Sequence, residues 1–521
     1  MNNVAVASHI AASNSESVNE RAGARLRLFW LCFALSAVVY CQLHFWSRPE
    51  RKDTANWDYF AQVISRGGVP YRDVVNIKTP LSAYIGAAAI LIGKPFGLRD
   101  IYAIRITYVL VASLTVAFTF LIASQFFDSL RIGILAALIL LGVEQFAILN
   151  MTGVQPKTPM ALFGLISLWA ILNRSPFIAG ICGMLSALSW QPGLLFIGTA
   201  GLAFSKYLTS WRDLKVAKLL AGAAVPLVIL LTYLWAAGAL RDFYLWCLHY
   251  PFSVYGPREL TTGQDFLAGF AKLLTKPYGS DRIYFYLSIG GLVLALAWEV
   301  IEGVKRGFRA VLNLAPRHQI IIAPLVYFLF CRVDMQGRQD VIPLLPFVAI
   351  FSAALVVYYF DATANMVAKL RGGPSHMVVQ RIGFAIVCVV VLVGGLSSVF
   401  SVRTGAKHLK AEMTDVADIV SLLDPGDEIF VHGWTEILVL SGLTNARRYT
   451  NLDHGKDSYL DQIEPGGFEG WFERLKADRP KIVALFRVKN VDHRDVLLSW
   501  VKSSYEPREG RVFTYYVRRD Q

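Results

Sequence analysis

The sequence predicts a polytopic α-helical membrane protein with a small polar α/β domain at its C-terminal end. Three observations lead there. Of the 521 residues, 55% are hydrophobic and only 17% charged, where soluble domains hold roughly 45–50% and 25%; the mean hydropathy is +0.45. The apolar excess lies in runs of about 16–23 residues, near the length that crosses a bilayer core as a helix. After about residue 401 those runs stop, and shorter strand-like and amphipathic patterns take over.

Residues 1–27 are polar, with Arg21, Arg25 and Arg27 ahead of the first apolar run. They read as a disordered cytoplasmic tail with a positive flank, not as a cleavable signal peptide. Apolar runs follow near 28–46, 81–97, 101–123, 131–149, 158–172, 176–205, 216–238, 283–304, 319–332, 341–360 and 381–400. The membrane domain is thus 28–400. The run 81–97 is short and holds Gly86, Gly93 and Pro95, so a re-entrant segment is an alternative there. The run 176–205 is interrupted by Gln191-Pro192-Gly193 and can be two spans. Basic linkers at Lys206 to Lys218, Lys305 to His318 and Lys369 to Arg381 mark the cytoplasmic side. About eleven crossings satisfy all three, leaving the loops 47–79 and 239–282 and the domain 401–521 outside.

In that last domain, 427–433 and 481–488 read as strands, 435–443 as a short helix and 468–479 as an amphipathic helix. The net charge of +13 sits mostly in short stretches between apolar runs. That argues against a nucleic-acid surface, which gathers basic residues on a polar face. The six cysteines lie in or beside apolar runs with no CxxC pair, so neither a zinc ribbon nor a redox pair is supported. There is no P-loop, HExxH or Rossmann fingerprint.

The densest cluster of chemically capable residues is the first external loop: Asp53, Asp58, Tyr59, Tyr71, Asp73 and Lys78, among several glycines and prolines. Residues 53–66 can form a helix on the membrane surface, with Trp57, Tyr59 and Phe60 at headgroup level. Gly67-Gly68 ends it, and the segment VPYRD turns the chain back. Carboxylates and a lysine then stand where a lipid-linked substrate presents its polar head. A solvated loop with interfacial aromatics would use the same residue types.

The stretch DTANWDYFAQVISRGGVPYRDVVNIKTPL (53–81) resembles the first periplasmic loop of the GT-C glycosyltransferases. It is most similar to the branch of protein O-mannosyltransferases and the lipid A aminoarabinose transferase. The matching features are Asp53, Ala61, Gly67 or Gly68, Pro70-Tyr71-Arg72-Asp73, and Lys78-Thr79-Pro80. The segments FGLRDIYAIRI (96–106), FYLWCLHYPFSVY (243–255) and GRQDVIPLLPF (337–347) also look like family segments. Two positions depart from the pattern: Thr79, where the family often has a second proline, and Gln339-Asp340, where an aromatic or histidine pair is frequent.

The resemblance implies a GT-C fold of about 11 transmembrane helices with a periplasmic α/β domain. It implies an inverting transferase moving a sugar from a polyprenyl phosphate to a glycan, lipid or protein acceptor. The setting would be the periplasmic face of a bacterial inner membrane. Asp53 matches the catalytic position and Asp58 is the second choice; a carboxylate there takes the proton of the acceptor hydroxyl. Lys78, Arg332 and Arg338 are candidates to hold the leaving phosphate. Tyr59, Tyr71, Asp73, His249 and Tyr250 complete the substrate-binding set, with Asp73 more suited to ordering the turn. No obligatory cofactor is implied; some relatives use a divalent metal, but no ligand cluster here calls for one. A flippase of lipid-linked sugars and an O-antigen ligase or polymerase are the alternative readings.

Overall fold

The computed structural model describes residues 2–519 apart from 44, 51, 206–213, 258–265, 277, 306–315, 334, 336, 372–375 and 402–405. Parts of all three basic linkers, and the middle of the 239–282 loop, lie outside the described residues.

The chain enters through α1 (Asn2–Cys41), a continuous helix. The expected disordered tail is therefore helical from its second residue. That stretch is rich in alanine and free of proline, and extending an existing helix costs far less than nucleating one. Arg25 pairs with Asp128 at 2.6 Å and holds the tail's end against the next helices. There follow α2 (Lys52–Ser65), α3 (Leu81–Gly93), α4 (Asp100–Phe126), α5 (Leu130–Gly142), α6 (Glu144–Asn150), α7 (Lys157–Leu172), α8 (Pro176–Ser189), α9 (Leu194–Phe204) and α10 (Lys215–Ala236). After α11 (Leu240–Phe243) the chain winds as a π-helix through Tyr244–His249 and Pro251–Tyr255. The membrane domain closes with α12 (Phe266–Thr275), α13 (Arg282–Lys305), α14 (Gln319–Cys331), α15 (Leu345–Arg371) and α16 (His376–Ser401).

Every expected apolar run is helical. Among the described residues, six helices are long and apolar enough to cross a membrane, or seven if the bent pair α5 and α6 is one span. The other four runs form five shorter apolar helices, because 176–205 breaks at Gln191–Gly193. The 63° bend between α5 and α6 falls at Val143, whose backbone is extended. The Glu144 N–H at the start of α6 donates to Asp281 Oδ2 at 2.9 Å, so the break leaves no stranded donor there.

The C-terminal domain comprises α17 (Ala406–Ser421), β1 (Ile429–His432), α18 (Glu436–Ser441), α19 (Lys456–Ile463), α20 (Gly467–Asp478), β2 (Ile482–Leu485), α21 (Arg494–Ser504), β3 (Tyr505–Glu509) and β4 (Thr514–Arg518). Its sheet order is β1-β2-β4-β3. β1 and β2 are parallel, with Phe430 opposite Val483, and the remaining pairs are antiparallel. The two expected strands and two expected helices are all present. The hairpin β3–β4 was not foreseen, since its strands are charged and mostly exposed or half-buried.

This domain packs directly on α2. Tyr59 Oη accepts from the Asn445 N–H at 2.8 Å, Thr435 donates to Asn56 at 3.0 Å, and Gln62 donates to the Val439 carbonyl at 3.1 Å. Trp57, Tyr59 and Phe60 are buried in protein and do not serve as headgroup anchors. The apolar stripe of α2 was legible, but its cover is α3 and α4 together with the C-terminal domain rather than lipid. The π-helical turn docks there too: Trp246 lies among Tyr250, Tyr449 and Tyr459 with ring centroids 5.3–5.6 Å apart.

Candidate active site

Between α2, the segment 337–340 and the C-terminal domain lie two chambers that share Asp53, Thr54, Gln155 and Gln339 in their walls. Asp53 sits in the first turn of α2 with its carboxylate 61% exposed. Gln339 Nε2 donates to its Oδ2 at 3.0 Å, and Arg487 Nη1 stands 4.0 Å from its Oδ1. Gln339, where this chain departs from the family pattern, thus orients the carboxylate.

The smaller chamber, 160 Å³, is lined by Lys78, Lys157, Lys456 and Arg487 against two carboxylates, Asp53 and Asp453, with His454 beside them. Lys78 and Lys157 both lie over the Trp190 ring, 4.8 and 4.6 Å from its centroid. Lys157 is buried and pairs with Asp340 at 2.7 Å. Asp453 pairs with Lys456 at 2.7 Å and Arg487 at 3.3 Å. Burial alone would raise its pKa, but Lys456, His454 and Arg487 overcome that and hold it below the usual carboxylate range. Arg487 itself adopts a left-handed backbone, φ 55°, uncommon for a non-glycine residue. A pocket with this cationic excess suits an anion, and a fork of guanidinium donors beside ammonium groups suits phosphate.

The larger chamber, 760 Å³, is lined by Arg338, His408, Glu50, Glu412, Glu436 and an aromatic wall of Trp434, Phe486 and Tyr516. Beneath it runs a buried charge network. Arg105 on α4 pairs with Glu50 at 2.9 Å, both side chains fully buried, and also donates to the carbonyls of Phe45 and Arg48. The Glu50 N–H donates to Glu412 Oε2 at 2.9 Å.

Asp58 belongs to this support and lines neither chamber. It is fully buried. Its Oδ1 accepts from the Val154 N–H at 2.7 Å. Burial, reinforced by the neighbouring Glu50 carboxylate, pushes its pKa well above the ordinary value. Gly153, at φ 143°, passes so close that a Cβ there would collide with the Asp58 carboxylate. Asp58, the second choice for the base, thus lies in the packing beneath the chambers, whereas Asp53 lines both.

The remaining expected residues separate cleanly. Lys78 and Arg338 line the chambers. Tyr71, also left-handed at φ 70°, donates to the Lys78 carbonyl at 2.8 Å and so positions that lysine from behind. Asp73 Oδ2 accepts from the Val69 N–H at 2.7 Å and pairs with Arg72, which lowers its pKa; it orders the turn. His249 contacts Tyr459 at 2.8 Å, and Tyr250 donates to the His454 carbonyl at 2.8 Å, so both brace the domain interface. Arg332 caps α14, is exposed, and lines neither chamber. Lys157, His454, Lys456 and Arg487 were not singled out. Lys157 opens an apolar run, where an ionisable residue is a functional signal; the other three carry no local signal. Among the described residues no three His, Cys, Asp or Glu side chains are grouped to hold a metal ion.

No protein-family profile matches the sequence, and no curated protein matches it. Solved structures match its fold. One is ArnT from Cupriavidus metallidurans bound to undecaprenyl phosphate, with a TM-score of 0.53 at 13% identity, covering 93% of this chain and 97% of that one. The apo form of the same protein gives 0.53 at 15% identity, covering 95% and 98%. The archaeal oligosaccharyltransferase AglB from Archaeoglobus fulgidus, in complex with an inhibitory peptide and a dolichol-phosphate, gives 0.52 at 12%, covering 95% and 74%. The chain shares the fold of these two membrane proteins.

Proposed function

We propose that the protein is an inverting glycosyltransferase that uses a polyprenyl-phosphate sugar as donor. The observation that carries this reading is Asp53, an exposed carboxylate where a cationic chamber meets an aromatic, carboxyl-lined one. The acceptor oxygen attacks the anomeric carbon as the carbon–oxygen bond to phosphate breaks. Asp53 takes the hydroxyl proton, and the polyprenyl phosphate leaves with the bonding electrons. Lys78, Lys157, Lys456 and Arg487 hold the phosphate while its charge develops. The ligands in the matching structures, undecaprenyl phosphate and dolichol-phosphate, support the donor class. We place about eleven crossings in a bacterial inner membrane, with the C-terminal domain on the periplasmic side.

The test is release of polyprenyl phosphate by purified protein in nanodiscs, given a panel of polyprenyl-phosphate sugars and acceptors. Asp53→Asn is expected to lose about 100-fold or more in rate while still binding donor. Asp58→Asn is expected to keep transfer within about tenfold, because Asp58 lines neither chamber and an amide oxygen can still accept from the Val154 N–H. The reverse pattern would move the base to Asp58. Intact donor crossing the bilayer without cleavage would replace the transferase reading with a flippase.

A further inference from the structure

The larger chamber has a chemistry of its own. Trp434, on the turn between β1 and α18, is half-buried and lies nearly parallel to Phe486, with centroids 5.9 Å apart and planes at 22°. Lys52 Nζ stands 3.6 Å from the Trp434 ring centroid, so this ring accepts a cation or a polarised C–H in the present state. Two residues along, Glu436 is only 4% exposed, yet its Oε2 finds no hydrogen-bond partner among the described residues. An unsatisfied buried carboxyl oxygen costs free energy, and a ligand group that fills it recovers that cost. Glu412 lines the same cavity. At 760 Å³ the chamber lies within the usual range for ligand sites.

We propose that this chamber is a glycan subsite, taking an uncharged sugar chain that stacks on Trp434 and hydrogen-bonds through its hydroxyls to Glu436. Naming that sugar chain the acceptor rests on the glycosyltransferase reading; the binding of a glycan does not. Burial pushes the Glu436 pKa up to about 8 and that of Glu412 to about 7. A protonated carboxyl both donates and accepts, as a sugar hydroxyl does, so the two groups pair without burying net charge. Phosphate chemistry is served by the neighbouring cationic chamber. Of the cations in this one, Lys52 lies over Trp434 and would be displaced by the stacking sugar, while Arg338 adjoins Gln339, which the two chambers share.

The experiment is saturation-transfer NMR on the full-length protein in nanodiscs. The probes are cellotetraose, maltotetraose, mannotetraose and chitotetraose, with glucose 6-phosphate as the charged comparison and undecaprenyl phosphate binding measured in parallel. At least one neutral tetrasaccharide is expected to receive saturation. Trp434→Ala should abolish it, Trp434→Phe should retain it, and Glu436→Ala, which removes the donor and acceptor, should weaken binding about tenfold. The proposal is overturned if no neutral tetrasaccharide binds, if Trp434→Ala binds as the wild type does, or if only glucose 6-phosphate binds. If undecaprenyl phosphate binds and no tetrasaccharide does, the subsite falls and the transferase reading survives. If a tetrasaccharide binds in the Trp434-dependent way but undecaprenyl phosphate does not bind, the subsite stands and the donor assignment falls.

Discussion

Asp53 and Asp58 lie five residues apart on α2, which places them about 140° apart around the helix axis. That angle sends one carboxylate to the chambers and the other into the packing against Glu50 and Val154. The sequence singles out this loop as the place for a candidate base. Choosing between the two needed the direction in which α2 turns its stripe, and that depends on contacts hundreds of residues away. The same burial has a measurable pH consequence. Glu436 and Glu412 keep protons in the folded state up to about pH 8 and about pH 7, from ordinary values of 4.5. The unfolded chain releases them near that ordinary value, so stability falls as pH rises from about 4.5 to about 8. Thermal unfolding of the C-terminal domain should therefore occur at lower temperature at about pH 8.5 than at about pH 5.5. Glu436→Gln should narrow that difference; an unchanged difference would locate the pH response elsewhere.

Helices here are held by two devices that differ in how readily a sequence reveals them. α8 and α10 cross where Gly180 faces the backbone of Leu219 and Gly222 faces that of Phe177; a side chain at either glycine would meet a carbonyl oxygen. Small residues at such crossings let helices approach closely in a membrane. Gly222→Val should cost about 1–3 kcal/mol, read as a lower unfolding temperature in detergent; an unshifted transition would mean the crossing can relax. The second device is Arg105, which ties α4 to the chain entering α2 through Glu50 and two carbonyls. Arg105→Ala leaves a buried carboxylate beside Asp58 and should destabilise by roughly 3–5 kcal/mol, with Glu50→Gln in the same chain restoring part of the loss. The run holding Arg105 was recognisable as a span with a family-like junction, but the partner was not, because Glu50 reads as an ordinary loop acid.

At the scale of the whole molecule, the apolar runs and four of the C-terminal elements were legible because they rest on local periodicity. The site was only half legible. Lys78 and Asp53 sit in one dense loop, whereas His454, Lys456 and Arg487 reach it from a turn, the start of α19 and the bend after β2, with no motif of their own. Arg487→Ala tests that long-range contribution: transfer should fall about 100-fold while the unfolding temperature stays within a few degrees of the wild type. Retained transfer would limit the C-terminal domain to a covering role.

The Asp53–Arg487 juxtaposition also orders events during biosynthesis. Asp53 leaves the ribosome 434 residues (487 − 53) ahead of Arg487. The loop that holds Asp53 must reach its side of the bilayer and wait while every later helix is inserted. Only when the final segment has crossed and folded onto α2 do both walls of the chambers exist. On the proposed reading, transfer therefore starts only after the last part of the site has folded.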